Sequence, residues 1–265
     1  MSTEATTTAA TTAATTATAR PTNRSSTGTT FTRWLGVITA LALALVAVFG
    51  LVFSPADVVQ GESVRILYVH VGTVWVAYLA FVVTAVASAA YLWKRTTSLT
   101  WDRMAGASAE IGVLYMGITL LSGSLWGRLS WGTFWVWDAR VTTTAFMFIT
   151  YIGYLAVRSL GGSHHQRARR SAVVALLAVI EIPLVHFSVK LWRSVHQDAS
   201  VADRTTDVTL DGLMLFTLAL SAVAFTLMYV WYVLHRQRVL AMNDSLDDRG
   251  LDDALVERRQ EGAMS

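Results

Sequence analysis

Six apolar stretches constrain this chain more than any other feature in it. A hydrocarbon core of about 30 Å takes about 20 residues of α-helix to cross. Runs at roughly 34–53, 66–93, 104–126, 141–157, 171–189 and 212–234 reach or approach that length. A soluble protein of 265 residues could not hide so much apolar surface, with 54% of its residues hydrophobic and 15% charged. The expected fold class is therefore all-α, a polytopic integral membrane protein with six transmembrane helices. The second run is the longest without a charge and is expected to tilt or project beyond the bilayer. The third and fifth each carry one carboxylate, Glu110 and Glu181, expected to be protonated or paired with other helices.

Charge orients the spans. With the N-terminus inside, that side collects three Lys/Arg before the first run, three in 94–103, four in 158–170 and five after 234. The opposite side holds six: Arg65, Arg128, Arg140, Lys190, Arg193 and Arg204. The positive-inside rule then predicts N-in, C-in. Residues 1–33 read as a disordered, Thr/Ala-rich cytoplasmic tail. The first run starts too late and is too long for a secretory signal, so it is expected to stay as a span. Residues 34–235 form the transmembrane domain, and 236–265 a charged cytoplasmic tail, solvated, partly helical and without chemistry. Cysteine is absent, which excludes disulfides, thiolate metal sites and iron–sulfur clusters on this chain. The net charge of +3 is small; the expected surroundings are the lipid bilayer, with no nucleic acid.

The six histidines divide into two groups. His164 and His165 lie among arginines and read as solvated, and His235 reads as a cation at the C-terminus of the sixth span. His70 and His186 lie inside otherwise apolar runs, where an ionisable group is costly and marks a functional candidate. The predicted topology puts His70 about four residues and His186 about three below the outer boundary, roughly 5 Å deep. Two imidazoles from different helices thus meet at one depth, where they could hold a six-coordinate heme iron or simply hydrogen-bond neighbouring helices. Pro183 lacks an amide donor and is expected to kink the fifth span, re-aiming His186, unless it is merely tolerated there. His196, beyond that span, is a candidate for a ligand's rim or an ordinary surface residue.

The segment Trp126-Gly-Arg-Leu-Ser-Trp131-Gly-Thr-Phe134-Trp135-Val-Trp137-Asp138-Ala-Arg140 joins the third and fourth spans on the same face. Trp131, Phe134, Trp135 and Asp138 follow the spacing of one face of a short interfacial helix. An aromatic belt scatters one or two rings per helix end, whereas this segment concentrates five. Flat π faces beside guanidinium forks suit a large planar ligand bearing carboxylates, and heme fits that description. Without cysteine, any heme here is held non-covalently as heme b. Arg65, Arg128 and Arg140 are the propionate candidates, with lipid phosphate or solvent as the alternative. Asp138 caps the fourth span or steadies a neighbouring indole or arginine.

The same segment closely resembles the tryptophan-rich WWD signature of heme-handling proteins in cytochrome c assembly. Leu67-Tyr-Val-His70-Val and Pro183-Leu-Val-His186-Phe-Ser-Val are similar to the histidine motifs that flank it, and over about residues 35–235 the pattern resembles the CcmC family. The resemblance implies heme bound on the outer, periplasmic side of the cell (inner) membrane, with His70 and His186 as axial ligands. It also implies presentation to the heme chaperone CcmE, with the ABC transporter CcmAB and the small membrane protein CcmD as partners. Two departures stand out: Gly72 replaces a proline common after the first histidine motif, and Phe134 replaces one of two adjacent tryptophans. The expectation is a binding protein, not an enzyme. The alternatives are a cytochrome b-like electron carrier, which usually pairs histidines near both faces, and a small-solute transporter, hinted at only by Glu181 and Pro183.

Overall fold

The structure, a computed structural model, describes residues 28–192, 194, 196 and 210–264. Most of the tail expected to be disordered, and Arg193 and Arg204 of the charge count, lie outside them. Among the described residues seven α-helices follow in order: α1 Thr30–Val48, α2 Ile66–Leu92, α3 Leu99–Trp131, α4 Ala139–Ser159, α5 His164–Ala178, α6 Glu181–Leu191 and α7 Gly212–Met264. A π-helical turn, Phe49–Phe53, extends α1, and a 3-10 turn, Glu62–Arg65, leads into α2. Among the described residues six segments are long and apolar enough to span a membrane, with α5 and α6 as two parts of the fifth. The protein is an all-α, polytopic membrane protein.

Three elements depart from expectation, each for a local reason. The interfacial helix predicted over Trp131–Asp138 does not form. Instead α3 runs on to Trp131 and stops at Gly132, whose φ of 77° is the left-handed conformation that ends helices. Asp138 then starts a new helix, its carboxylate accepting the Val141 amide at 2.8 Å. The kink expected from Pro183 is present, but as a break one turn earlier, at Val179–Ile180. A proline at 183 cannot donate to the carbonyl four residues back, and the Val179 carbonyl takes the Ile182 amide at 3.2 Å instead. The third departure is α7, which continues unbroken through the predicted tail. His235 is therefore mid-helix, edge-on to Trp231 at 5.2 Å, and not at a C-terminus.

The pair α2–α3 forms the centre of the bundle, with α7 and α5 against α2, α4 against α3 and α5, and α1 on α7. Without a hydrophobic drive between helices in lipid, close packing of small side chains and hydrogen bonds hold them together. Ala77, Ala80, Ala107 and Ala109 are fully buried along the α2–α3 seam. Ser108 Oγ donates to the Ala80 carbonyl at 2.7 Å, and Thr119 Oγ1 to Thr73 Oγ1 at 3.0 Å. Phe81 stacks on Tyr151 with centroids 3.5 Å apart. Gly72 lets α7 approach: a Cβ there would meet Phe225 and Ser221 at 2.7 Å.

At the end where α2 meets α3 and α4 meets α5, charged side chains pair across helices. Asp102, 3% exposed, holds Arg158 with both carboxylate oxygens and Arg167 with one, the last at 3.2 Å. Asp244 of α7, 7% exposed, takes Arg103 at 3.2 Å and Arg167 at 3.0 Å. His164 faces Asp244 and Asp248, and His165 Nδ1 is 3.0 Å from the Tyr91 hydroxyl. The start of the stretch expected to be a solvated tail bonds into the bundle through Asp244, which reaches arginines of α3 and α5 from a continuous α7, whereas 245–261 are exposed as expected. Glu110 is paired as expected, with Arg236, while Glu181 accepts from Thr150 at 2.8 Å.

Candidate functional site

The other end of the bundle gathers the start of α2, the α3–α4 connection and the end of α6. A cavity of about 610 Å³ lies among them. His70, His186 and His196 all line it, with Trp126, Trp131, Phe134, Trp135 and Arg140. A second cavity of about 390 Å³, on the side of residues 59–63, shares His70, Trp126, Trp131 and His196. Trp137 lines neither; it is 80% exposed, edge-on to Trp135 at 5.4 Å.

Each imidazole is held differently. His70 Nδ1 is 3.0 Å from Ser122 Oγ, and that hydroxyl donates to the Thr119 carbonyl at 3.1 Å. With the hydroxyl proton committed, the ring Nδ1–H is the donor and Nε2 keeps its lone pair. The ring rests on α3 at Gly123, where a Cβ would lie 2.9 Å from His70 Cε1, and Trp126 meets it edge-on at 5.7 Å. His196 Nδ1 donates to Asp138 Oδ2 at 2.7 Å, and its ring meets Trp131 edge-on at 4.7 Å. Nε2 of His196 is likewise left with its lone pair. His186 is exposed and edge-on to Phe187 at 4.9 Å; among the described residues no hydrogen bond holds its ring.

Asp138 organises this corner. It caps α4 with one oxygen and receives Ser194 and His196 with the other. Burial pushes its carboxyl upward, but hydrogen bonds from Ser194, His196 and the Val141 amide outweigh that, holding it below the ordinary carboxylate value. Of the three candidate arginines, Arg140 alone lines either of these two cavities, and it also donates to the His186 carbonyl at 3.3 Å. Arg65 is turned to Glu62 and the Gly50 carbonyl, and Arg128 to the Gly132 carbonyl and the Phe134 ring, 5.7 Å from its centroid. Trp135 contributes a buried indole N–H that has no partner among the described residues.

Sequence reading missed several supports. Gln60 accepts the Trp126 indole N–H at 2.7 Å and joins the loop before α2 to the smaller cavity. Ser122 and Gly123 set the His70 ring, and Ser194 sits beside Asp138. The signal was faint: Ser122-Gly-Ser124 is a run of small residues in α3, the kind that lets a neighbouring ring approach the backbone.

Fold and site together define a multi-pass helical membrane protein with a histidine- and tryptophan-walled cavity opening at one end of the bundle. Residues 14–250 match the CcmC family, described as heme exporter protein C. Relatives include heme exporter protein C of Bradyrhizobium diazoefficiens, 37% identical over 74% of this chain and 73% of the relative. That of Haemophilus influenzae is 34% identical over 76% and 81%, and that of Escherichia coli K12 30% over 80% and 84%. The chain belongs to the CcmC family.

Proposed function

We propose that this protein binds heme in the histidine-end cavity, on the periplasmic side of the inner membrane, and hands it on during cytochrome c maturation. The observation that carries the reading is the convergence of three imidazoles, a guanidinium and six aromatic rings on one cavity of about 610 Å³. Ligand cavities of roughly 300–1,000 Å³ with apolar walls and a few directed polar groups take large organic molecules. A porphyrin brings four equatorial nitrogens, so the protein supplies only the axial ones. Among the described residues no cluster of three or more His, Asp or Glu stands ready for a bare ion, whereas two imidazoles on separate elements suit an iron already held by a porphyrin.

His70 is the first axial ligand. For the second, the sequence favoured His186, but the geometry favours His196: its Nδ1 is anchored on a carboxylate, as metal-bound imidazoles usually are, and it shares both cavities with His70. Trp131, Phe134 and Trp135 form the platform, and Arg140 meets a propionate. The chain makes no covalent bond in this reading; it holds heme and releases it. The receiver is the heme chaperone CcmE, with CcmAB and CcmD as partners, in an N-in, C-in topology.

Absorption spectra of the purified protein test this. His70→Ala and His196→Ala are expected to lose heme or shift its bands, with His186→Ala close to wild type. The reverse result at 186 and 196 assigns His186 instead. Unchanged spectra in all three variants would end the ligation proposal. Chaperone loading by Trp131→Ala and Trp135→Ala tests the platform separately.

A further inference from the structure

The fifth span changes neighbours at its break. α5 packs against both α2 and α4, whereas α6 keeps α4 and forms no comparable seam with α2. The larger cavity lies in the gap so left. Val71, Val74, Trp75 and Tyr78 of α2 line one side and His186 of α6 the other. Trp75 is 51% exposed and His186 is exposed too, although both line the cavity. The cavity therefore reaches the lateral surface between α2 and α6, as well as the end of the bundle.

Depth decides what that opening meets. Trp75 lies nine residues into α2, about 13 Å along the axis at 1.5 Å per residue. That level belongs to hydrocarbon, not to water. The Trp75 indole N–H donates to Thr226 Oγ1 of α7 at 3.0 Å, which ties the residue to α7 while it still lines the cavity. The α2 residues that line the cavity here, Val71, Val74 and Trp75, are apolar, and Arg140 lines it near His186. A planar amphiphile could slide in ring-first through the apolar gap while its carboxylates stayed near the headgroups and the guanidinium.

We propose that the gap between α2 and α6 is a lateral portal, through which heme passes between the surrounding leaflet and the histidine cavity without crossing bulk water. This rests on the heme reading above. The absence of cysteine allows single-site labelling. In the full chain reconstituted in phosphatidylcholine vesicles preloaded with hemin, heme capture is followed by quenching of tryptophan fluorescence and by absorption. One variant, Trp75→Cys, carries a bulky apolar maleimide at the portal. The other, Val59→Cys, carries it at the mouth of the smaller cavity, where Val59 is 89% exposed. Each variant is compared before and after alkylation.

The expected result is a several-fold slower capture on alkylation at position 75, with the final heme spectrum preserved, and no slowing at position 59. Slowing at 59 alone, equal slowing at both, or none at either overturns the portal while leaving the site intact. If no heme binds before alkylation, the heme reading falls and the portal with it.

Discussion

The two ends of the bundle use similar polar side chains to opposite effect. At the closed end Asp102, Arg158, Arg167, Arg103 and Asp244 answer one another across α3, α4, α5 and α7. At the histidine end the hydrogen bonds fix His70 and His196 through Nδ1, and His186 has none at its ring among the described residues. Among the described residues the Trp135 indole N–H is buried without a hydrogen-bond partner. A buried polar group without a partner is expensive. The closed end bonds most of its charges to one another, although Arg167 Nε and Arg170 Nε are buried without partners among the described residues; the histidine end leaves an indole N–H for a ligand to meet.

Removing Asp102 tests the closed end and carries the largest expected effect. Asp102→Ala strands the Arg158 guanidinium, 8% exposed, with Ser171 at 3.4 Å as its remaining hydrogen-bond partner. A buried charge that loses its partner costs about 3–5 kcal/mol, read as a lower melting temperature. Arg158→Met is milder, because Arg167 still holds Asp102 at 3.2 Å. Equal losses in the two variants would break the idea of a network. Gly123→Ala probes the other end and should do the reverse. Its Cβ would press on the His70 ring at 2.9 Å, displacing the imidazole and weakening or shifting heme absorption, with melting little changed. A wild-type heme spectrum in that variant would sink the role given to the Gly123 contact.

The closed end was also the less legible in sequence. Six spans could be counted because apolar runs of membrane length announce themselves without any tertiary information. The meeting of His70 with the tryptophan segment followed from topology alone, since an antiparallel chain returns to the same end after every second helix. What failed depended on single backbone hydrogen bonds or on distant partners. The spacing of Trp131, Phe134 and Trp135 looked helical, yet Gly132 overrode it with one left-handed residue. Asp244 read as one more solvated carboxylate, because the arginines that bury it come from α3 and α5, 141 and 77 residues away. His196 stood undecided for a similar reason: the carboxylate that orients it lies 58 residues earlier.

That carboxylate supplies the smallest and most selective test. Asn replaces Asp well as a helix cap, so Asp138→Asn keeps the start of α4 and removes the charge facing Ser194 and His196. A charge-assisted hydrogen bond exceeds a neutral one by about 1 kcal/mol, so the melting temperature of the heme-free protein should fall by only a few degrees. The pH dependence gives the sign. The folded pKa of Asp138 lies below its ordinary value of 3.8, so its contribution is fully present above that pH and fades as the pH falls through the depressed folded value. The gap between wild type and Asp138→Asn should therefore be constant near neutrality and close in acid. With heme bound, the same variant should loosen the His196 ring and shift the absorption bands, leaving the His70 contribution in place. A gap that persisted undiminished in acid would show that the carboxylate's charge is not what holds His196 in position.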